Sequence, residues 1–444
     1  MDKKLPATFF YITFIVINLF AITLSYHTKA ESNSYTGPGD DKKDYDSKNY
    51  QTNSLSLDYR KGKKADLIQY VNVKQLGLPK LVIPNENPIT KEKIDLGKKL
   101  FFDRRLSLNN TMSCGMCHVP EQGFTSNEIK TAVGIEGRSN LRNTPTLLNV
   151  AFNKFLFHDA REYSLEGQVW QPVLAHSEMA MPSFGFTLKK IKLIPGYVEL
   201  FEKAFPEEGV TMETFGKAIA SYERSLISGN SSFDKWYYGK DENAVSKEVK
   251  DGFKVFSEKG NCIACHSIGK NEALFFDNKL HNTGVGYAES MGLSDKKKTK
   301  VQIAPGEYVE VNNEIIKSVN QQKKSNDLGL YSITENPNHR WLFKTPTLRN
   351  ISLTSPYMHN GSISTLEEVI DFYDNGGIDN ELLSPMIKKL NLTNVEKNNL
   401  KIFLESLVGD NIEILIADAL STPVGNLTQD DPNWANNTDM GYNK

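Results

Sequence analysis

The chain has 444 residues, 39% hydrophobic and 24% charged, inside the ordinary range for globular domains and outside that of collagen-like or disordered chains. At roughly 150 residues per domain, this length predicts two or three domains. Its 52 basic and 54 acidic side chains leave a formal net charge of -2, so no overall positive field exists to hold nucleic acid or an anionic membrane surface.

At the N-terminus, Lys3 and Lys4 precede an almost uninterrupted apolar stretch from Phe9 to Leu24, followed by small and polar residues around Thr28-Lys29-Ala30. That order predicts a secretory signal over residues 1–30. The stretch approaches the ~20 residues that span a bilayer, so an uncleaved anchor through residues 9–24 stands beside cleavage as an alternative. Either way the rest of the chain is expected to be exported. From Glu31 to about Lys64 the sequence is mostly Ser, Asn, Asp, Lys, Tyr and Gly. Such a segment cannot bury enough apolar surface to offset the entropy of ordering, and residues 31–80 are expected to form a flexible tether.

Helical patterns dominate beyond it. Phe215, Ala218, Ile219, Tyr222 and Leu226 recur at three- and four-residue steps, as do Val249, Phe253 and Phe256. Lys- and Asn-rich residues 270–326 read as loops with one short hairpin. Thr365-Leu-Glu-Glu368 is a capping box for a helix with Val369, Ile370 and Tyr373 inward, stopped by Gly376-Gly377. Thr393-Asn-Val-Glu396 opens what reads as the last helix, with Leu400, Phe403, Leu404 and Leu407 inward. The fold class expected is mainly α.

All four cysteines fall in two groups, Cys114-Gly-Met-Cys117-His118 and Cys262-Ile-Ala-Cys265-His266, leaving none for a disulfide. Cys-x-x-Cys-His is the attachment pattern of c-type haem: two thiols form thioethers with the porphyrin and the next imidazole takes an axial position on iron. A structural zinc site normally needs four protein ligands, and these groups are far apart in the chain. Two covalent haems are therefore expected, with His118 and His266 as iron ligands.

The stretch Thr144-Pro-Thr-Leu-Leu-Asn149 through His158 to Glu166 matches Thr345-Pro-Thr-Leu-Arg-Asn350 through His359 to Glu367 without a gap. Each copy follows one haem motif, so the chain reads as two related halves, one haem domain over residues 81–243 and a second over 244–425, with a tail at 426–444. The sixth iron ligand separates a reaction centre, which needs an open position, from an electron relay. Tyr373 aligns with Pro172 in the first half, and proline cannot ligate iron. The first centre is thus expected to be open. On pattern alone Tyr373 could equally be a core tyrosine, and Gln168 and Glu178, which flank Pro172, could be solvated surface residues.

Leu96-Gly97-Lys-Lys-Leu-Phe-Phe102-Asp103, both haem motifs, Arg142-Asn-Thr-Pro145, Phe343-Lys-Thr-Pro-Thr-Leu-Arg-Asn350 and Pro356-Tyr-Met-His-Asn-Gly361 together resemble the bacterial di-haem cytochrome c peroxidases, in their MauG-like branch. The resemblance runs from about Pro84 to Leu407. It implies a periplasmic enzyme that reacts with hydrogen peroxide at the His118 haem. Glu178 would be the distal acid/base, Gln168 its neighbour, and Pro172 the proline over the open face. It further implies Tyr373 as axial ligand of the second haem, where ordinary peroxidases use methionine, and a calcium site from Asn143, Thr354 and Pro356. Ile135 stands near where ordinary peroxidases carry a blocking histidine. The family's inter-haem tryptophan is replaced by His158, with His359 at the equivalent place in the second half and Trp170 a nearby substitute. The electron source implied is a small cytochrome or a partner protein whose Trp or Tyr side chains are oxidised, as in a maturation enzyme. A plain electron carrier is the rival from another class. His27, His176, His281 and His339 have no assigned role.

Overall fold

The computed structural model describes residues 62–293, 298–304, 307–312, 314–315 and 326–422. The expected signal or anchor, the tether up to residue 61 and the tail at 426–444 lie outside the described residues. What is described is mostly helical with few strands. The longer helices are α1 (Lys91–Phe102), α2 (Phe184–Leu193), α3 (Tyr197–Ala204), α4 (Met212–Ser225), α5 (Lys247–Ser257), α6 (Leu366–Asp374), α7 (Asn394–Glu405) and α8 (Ile412–Leu420). Short strands β1 (Leu280–His281) and β4 (Phe343–Lys344) pair antiparallel, Leu280 opposite Lys344. Strands β2 (Lys298–Ala304) and β3 (Glu307–Asn312) make the hairpin expected in the Lys-rich region, Lys298 opposite Asn312.

Local chemistry sets the helix starts. Both expected capping boxes form: Thr365 with Glu368 opens α6, and Thr393 with Glu396 opens α7. Thr211 and Thr214 cap α4 in the same reciprocal way, satisfying donors that the first turn leaves unpaired. Burial then pairs the helices. A β-carbon on Gly97 of α1 would lie 1.9 Å from the Ala218 carbonyl oxygen of α4, and one on Gly252 of α5 would lie 1.9 Å from that of Asn399 in α7. Only glycine permits these crossings. Four residues past each glycine, Phe101 meets Tyr222 at 5.3 Å between ring centroids and Phe256 meets Phe403 at 5.0 Å.

Other backbone features recur 201 residues apart. Asn149 and Asn350 both take left-handed φ, near 62° and 60°, and each opens a short helical turn, Val150–Phe152 and Ile351–Leu353. The Asn149 side chain accepts from Ser228 N–H, and that of Asn350 from Gly409 N–H, each at 2.9 Å. Bridges Leu156 to Glu162 and Tyr357 to Ile363 follow in register.

Two apolar clusters result, one spanning Leu67 to Leu226 and the other Phe233 to Leu407. Two features depart from the sequence reading. Helix α7 is not the last: α8 follows and puts Ile412, Leu415 and Ala419 into the first cluster. Its Asp418 pairs with Lys98 of α1 at 2.9 Å, both side chains nearly inaccessible, so removing one partner strands a buried charge. Nor does the expected tether run to residue 80, since Leu67, Val71 and Leu78 are buried. A few apolar side chains suffice here because they dock on walls that already exist. Gln75 bonds both the Ile227 carbonyl and Gly229 N–H, and Gly77 offers its carbonyl to Arg349 at 2.6 Å. Arg349 also makes a buried two-pronged pair with Asp234, both contacts at 2.9 Å.

Substituting Gly97 or Gly252 with alanine forces a helix pair apart and is expected to cost about 1–3 kcal/mol, as overpacked interiors generally do. A drop in the midpoint of chemical denaturation, with the slope unchanged, checks it.

Candidate functional site

Each Cys-x-x-Cys-His group folds as one short turn. Residues Cys114–Met116 and Cys262–Ala264 are single 3-10 turns, and the His118 and His266 N–H groups donate to the Cys114 and Cys262 carbonyls, both at 2.8 Å. All four thiols are free. The imidazoles are anchored alike: His118 Nδ1 lies 3.1 Å from the Phe124 carbonyl oxygen, and His266 Nδ1 lies 2.8 Å from that of Phe275. Both phenylalanines take φ of 56°, which turns those carbonyls toward the rings. Nδ1 is thereby fixed as donor and Nε2 keeps its lone pair free for a metal. Burial lowers the His118 pKa to about 4, against the pull of the Phe124 and Pro145 carbonyls, and lowers that of His266 as well. Both rings are neutral at physiological pH, as ligation needs. Burial also pushes the Cys117 and Cys262 thiols up to about 12. None of these is a thiolate nucleophile.

Above the first group lies a cavity of about 50 Å³, lined by Phe101, Met112, Leu147, Val169 and Met179 together with Cys114, Cys117, His118, Gln168, Pro172 and Glu178. The structure therefore brings together the three distal residues expected from sequence. Gln168 ends the Leu165–Gln168 turn and Pro172 lies in the short helix Trp170–Leu174. The following segment folds back over that helix, with Glu178 N–H on Ala175 O at 2.9 Å and Met179 N–H on Pro172 O at 3.2 Å. Burial raises the Glu178 pKa, with Arg161 pulling it down. Ile135 donates its N–H to the Glu178 carbonyl and packs with Met112 and Ala180 near Cys117, so an apolar side chain stands at this edge.

The same cavity holds a residue that the sequence reading missed. Glu223 of α4 is 4% exposed, and its Oε2 has no hydrogen-bond partner. Burial raises its pKa to about 8, against the pull of Arg224. The signal was present: Glu223 stands four residues after Ile219 on the inward face of α4, an acid where the pattern asks for an apolar side chain.

Around the second group the residue facing the cysteines is Tyr373 of α6. Burial raises its phenol pKa first, and the Cys265 and Cys262 sulfurs raise it further. Cys265, Asp277 and His281 also come within 4.8 Å of one another by their ligand atoms. Burial works against Asp277, yet hydrogen bonds from His281 and Thr345 hold its carboxyl below the usual range. His281, unassigned in the sequence, thus serves this carboxylate. His176 is exposed.

His158 and His359, matched in the repeat, come close to one another. Nε2 of His158 lies 2.9 Å from the Asn143 carbonyl oxygen. Nε2 of His359 is buried without a partner, and its ring stacks on Phe343 with centroids 3.5 Å apart and planes 12° apart. Burial lowers the two pKa values to about 4 and about 3; the Arg142 and Lys344 cations further disfavour charge on His158, and the His158 ring further disfavours charge on His359. Arg142 grips Asp327 through Nε and an outer nitrogen and meets Asp159 at 2.6 Å beside them, a network that no spacing announced. The Trp170 ring turns instead into the first apolar cluster, against Phe184 at 4.9 Å and Phe215 at 4.6 Å. At the other expected site, Asn143 spends its side-chain N–H on the Lys130 carbonyl, and Lys130 and Pro356 line one crevice.

A helical fold built round two Cys-x-x-Cys-His groups, each with its imidazole aimed for ligation, defines a di-haem class of protein. The comparisons with known proteins agree. The family described as di-haem cytochrome c peroxidase matches residues 91–242. Methylamine utilization protein MauG of Methylophilus methylotrophus is 34% identical over 333 residues, 74% of this chain and 87% of that one. Cytochrome-c peroxidase IdrP1 of a Pseudomonas species, strain SCT, is 35% identical over 333 residues, covering 74% and 84%. A solved MauG-like protein associated with microbial copper homeostasis superimposes with a TM-score of 0.62 at 27% identity, covering 78% of this chain and 99% of that one. The chain belongs to the di-haem cytochrome c peroxidase family and is a peroxidase-type oxidoreductase.

The chain's own residues fit two haems. Each group offers paired thiols and an imidazole with Nε2 free, and the first opens onto an apolar-walled cavity. Glu223 also gives a stability test. Its folded pKa of about 8 lies above the ordinary 4.5, so the folded state holds an extra proton between those values and loses stability as pH rises through them. The loss is at most about 1.4 kcal/mol per pH unit. Denaturation midpoints measured across that window should fall in the wild type and stay flatter in Glu223→Gln.

Proposed function

We propose that the protein is an exported di-haem c-type oxidoreductase that reacts with hydrogen peroxide at the centre held by Cys114, Cys117 and His118. The centre held by Cys262, Cys265, His266 and Tyr373 would pass it electrons from a small cytochrome or a partner protein. The observation that carries the reading is the inequality of the two centres. One faces a cavity with Gln168, Pro172 and Glu178 on its wall; the other has a buried phenol beside its cysteines.

Bound haem supplies an iron that takes an oxygen donor at an open axial position and stores oxidising equivalents. Glu178, whose pKa burial raises and whose carboxylate is thereby a stronger base than usual, takes a proton from one oxygen of the peroxide and returns it to the other. Gln168 orients the substrate through its amide. Pro172 offers no ligating atom and so leaves that face open. At the second centre Tyr373 would hold the haem iron through its phenol oxygen, whose proton burial alone keeps in place and whose loss a bound cation would favour. An anionic oxygen ligand favours ferric iron, which suits sharing of oxidising equivalents more than reduction by a high-potential donor. His158, with His359 beside it, stands for the inter-haem bridge.

The reading extends to two haem domains over 81–243 and 244–425, supported by the recurrent crossings at Gly97 and Gly252. It extends also to periplasmic export through residues 1–30, cleaved or kept as a tether. Among the described residues no helix is long and apolar enough to cross a membrane. Asn143, Thr354 and Pro356 would hold a calcium ion through oxygen donors, the kind a hard cation takes. In support, Asn143 donates its side-chain N–H to the carbonyl of Lys130, which lines one crevice with Pro356.

A second reading, a MauG-like enzyme that oxidises Trp or Tyr side chains of a partner protein, is favoured by the likeness to MauG and by tyrosine at 373. Stoichiometric oxidation of a co-purifying protein would mark it, whereas steady turnover with reduced cytochrome c would mark a detoxifying peroxidase. Electron paramagnetic resonance of the resting ferric enzyme tests the core of the proposal. One high-spin and one low-spin signal are expected, with the low-spin signal altered in Tyr373→Phe. Two low-spin signals would leave only an electron carrier. Glu178→Gln should slow the reaction with peroxide by roughly 10²–10⁴-fold, the usual scale of acid–base catalysis, without changing either resting signal.

A further inference from the structure

Phe275, whose carbonyl anchors His266, is also the inner end of a packed aromatic chain. Its ring meets Phe233 at 5.6 Å between centroids, and Phe233 stacks on Tyr237 at 5.3 Å with planes 12° apart. Phe233 also touches Trp236 at 6.0 Å, and Trp236 touches Tyr237 at 5.8 Å. Phe233 and Phe275 are fully buried, while Trp236 and Tyr237 are partly exposed. The chain therefore runs without a gap from the imidazole of the second centre to solvent. Trp236 is the one tryptophan among the described residues that reaches the surface, since Trp170 and Trp341 are buried. At the first centre His118 meets Phe101 at 6.2 Å, and Phe101 meets Phe102 and Tyr222, but all three rings are buried, so this cluster offers no such route to solvent.

We propose that Trp236 and Tyr237 form a one-electron port of the second centre, where a reductant delivers electrons that travel through Phe233 and Phe275 to His266. The inference rests on the reading of that centre as an electron relay and names its surface entrance. Tunnelling falls steeply with distance, so rings in contact conduct where a gap would not. Phenylalanine is too hard to oxidise to hold the charge, so Phe233 and Phe275 act as bridges and the indole and phenol as stepping stones. In each transfer Trp236 loses one electron to the oxidised second centre. Its indole Nε1 proton passes to Glu242, whose Oε2 lies 3.3 Å away in the open, and from there to water. An external one-electron donor, with a proton from solvent, restores the indole. Two such transfers balance one peroxide reduced to two waters. Lys240 lies over the Tyr237 ring at 5.5 Å, and Lys250, over the Trp236 ring at 5.8 Å, is paired with Glu242 at 2.7 Å, so Lys240 is the cation at the port that suits a donor of anionic surface.

The test mixes the resting holoenzyme with one equivalent of hydrogen peroxide and no reductant, then freezes it for electron paramagnetic resonance while absorbance follows the haems. An organic radical is expected in the wild type and in Tyr163→Phe, a control at an exposed tyrosine off the chain. It should be lost from the double variant Trp236→Phe, Tyr237→Phe, which keeps the rings and the packing. Peptide mass spectrometry should place added oxygen on Trp236 or Tyr237 in the wild type. Re-reduction of the second haem by a small anionic donor should slow by an order of magnitude in the double variant. A haem absorbance change with the same radical in the double variant would overturn the port and leave the peroxide reading standing. No absorbance change at all would overturn both.

Discussion

Everything at the two centres depends on how an imidazole is held before any metal arrives. In both groups a main-chain carbonyl, turned inward by a left-handed phenylalanine, fixes Nδ1 as donor and leaves Nε2 as the open lone pair. Burial then keeps each ring neutral, since an imidazolium would lose its hydration, and at His266 this outweighs the pull of the Asp277 carboxylate. The thiols arrive by the same economy, one short turn placing two sulfurs and the ring of the next residue around one point. The rest of the fold serves that placement. Helices α1 and α4 on one side, and α5 and α7 on the other, cross closely enough at a glycine to bring their aromatic residues to the wall of each centre.

The halves share this framework and differ in what faces it. A run of 201 residues separates matched asparagines, matched turns and matched bridges, yet Pro172 stands where Tyr373 would be. At that one position the repeat carries a proline on the wall of the first cavity and a buried phenol near the second pair of cysteines. The centre of the molecule is the opposite case, because there the repeat is kept. His158 and His359 occupy matched positions, both neutral, and the second is stacked on Phe343 with its Nε2 unsatisfied. An unpaired buried nitrogen costs about 1–3 kcal/mol, which a purely structural core would avoid.

Much of this was legible in the sequence because the signals are local. Cys-x-x-Cys-His fixes chemistry within five residues, capping boxes within four, and the gapless repeat aligned Pro172 with Tyr373 before any coordinates. Gln168, Pro172 and Glu178 follow one another closely enough that a single fold-back brings them to one cavity. What was not legible depends on distant segments meeting. Arg142 and Asp327 are 185 residues apart, and no pattern of either points to the other. Helix α8 was passed over because the capping box of α7 looked like a final start. The packed stretch near Gly77 was absorbed into a tether because its polar composition outweighed three buried apolar positions. Glu223 is an acid on an otherwise apolar helix face, a local exception that the periodic pattern masks.

Helix α8 has a topological consequence. The last described helix closes the core of the half that carries Cys114, not the half it follows, and the segment around Leu67 joins the same core from the opposite end of the fold. The first and last described apolar segments thus share the core of the half encoded first, and that core is complete only once residues 412–419 have joined it. The half translated later can consolidate around its own interior while the earlier one waits for its lid.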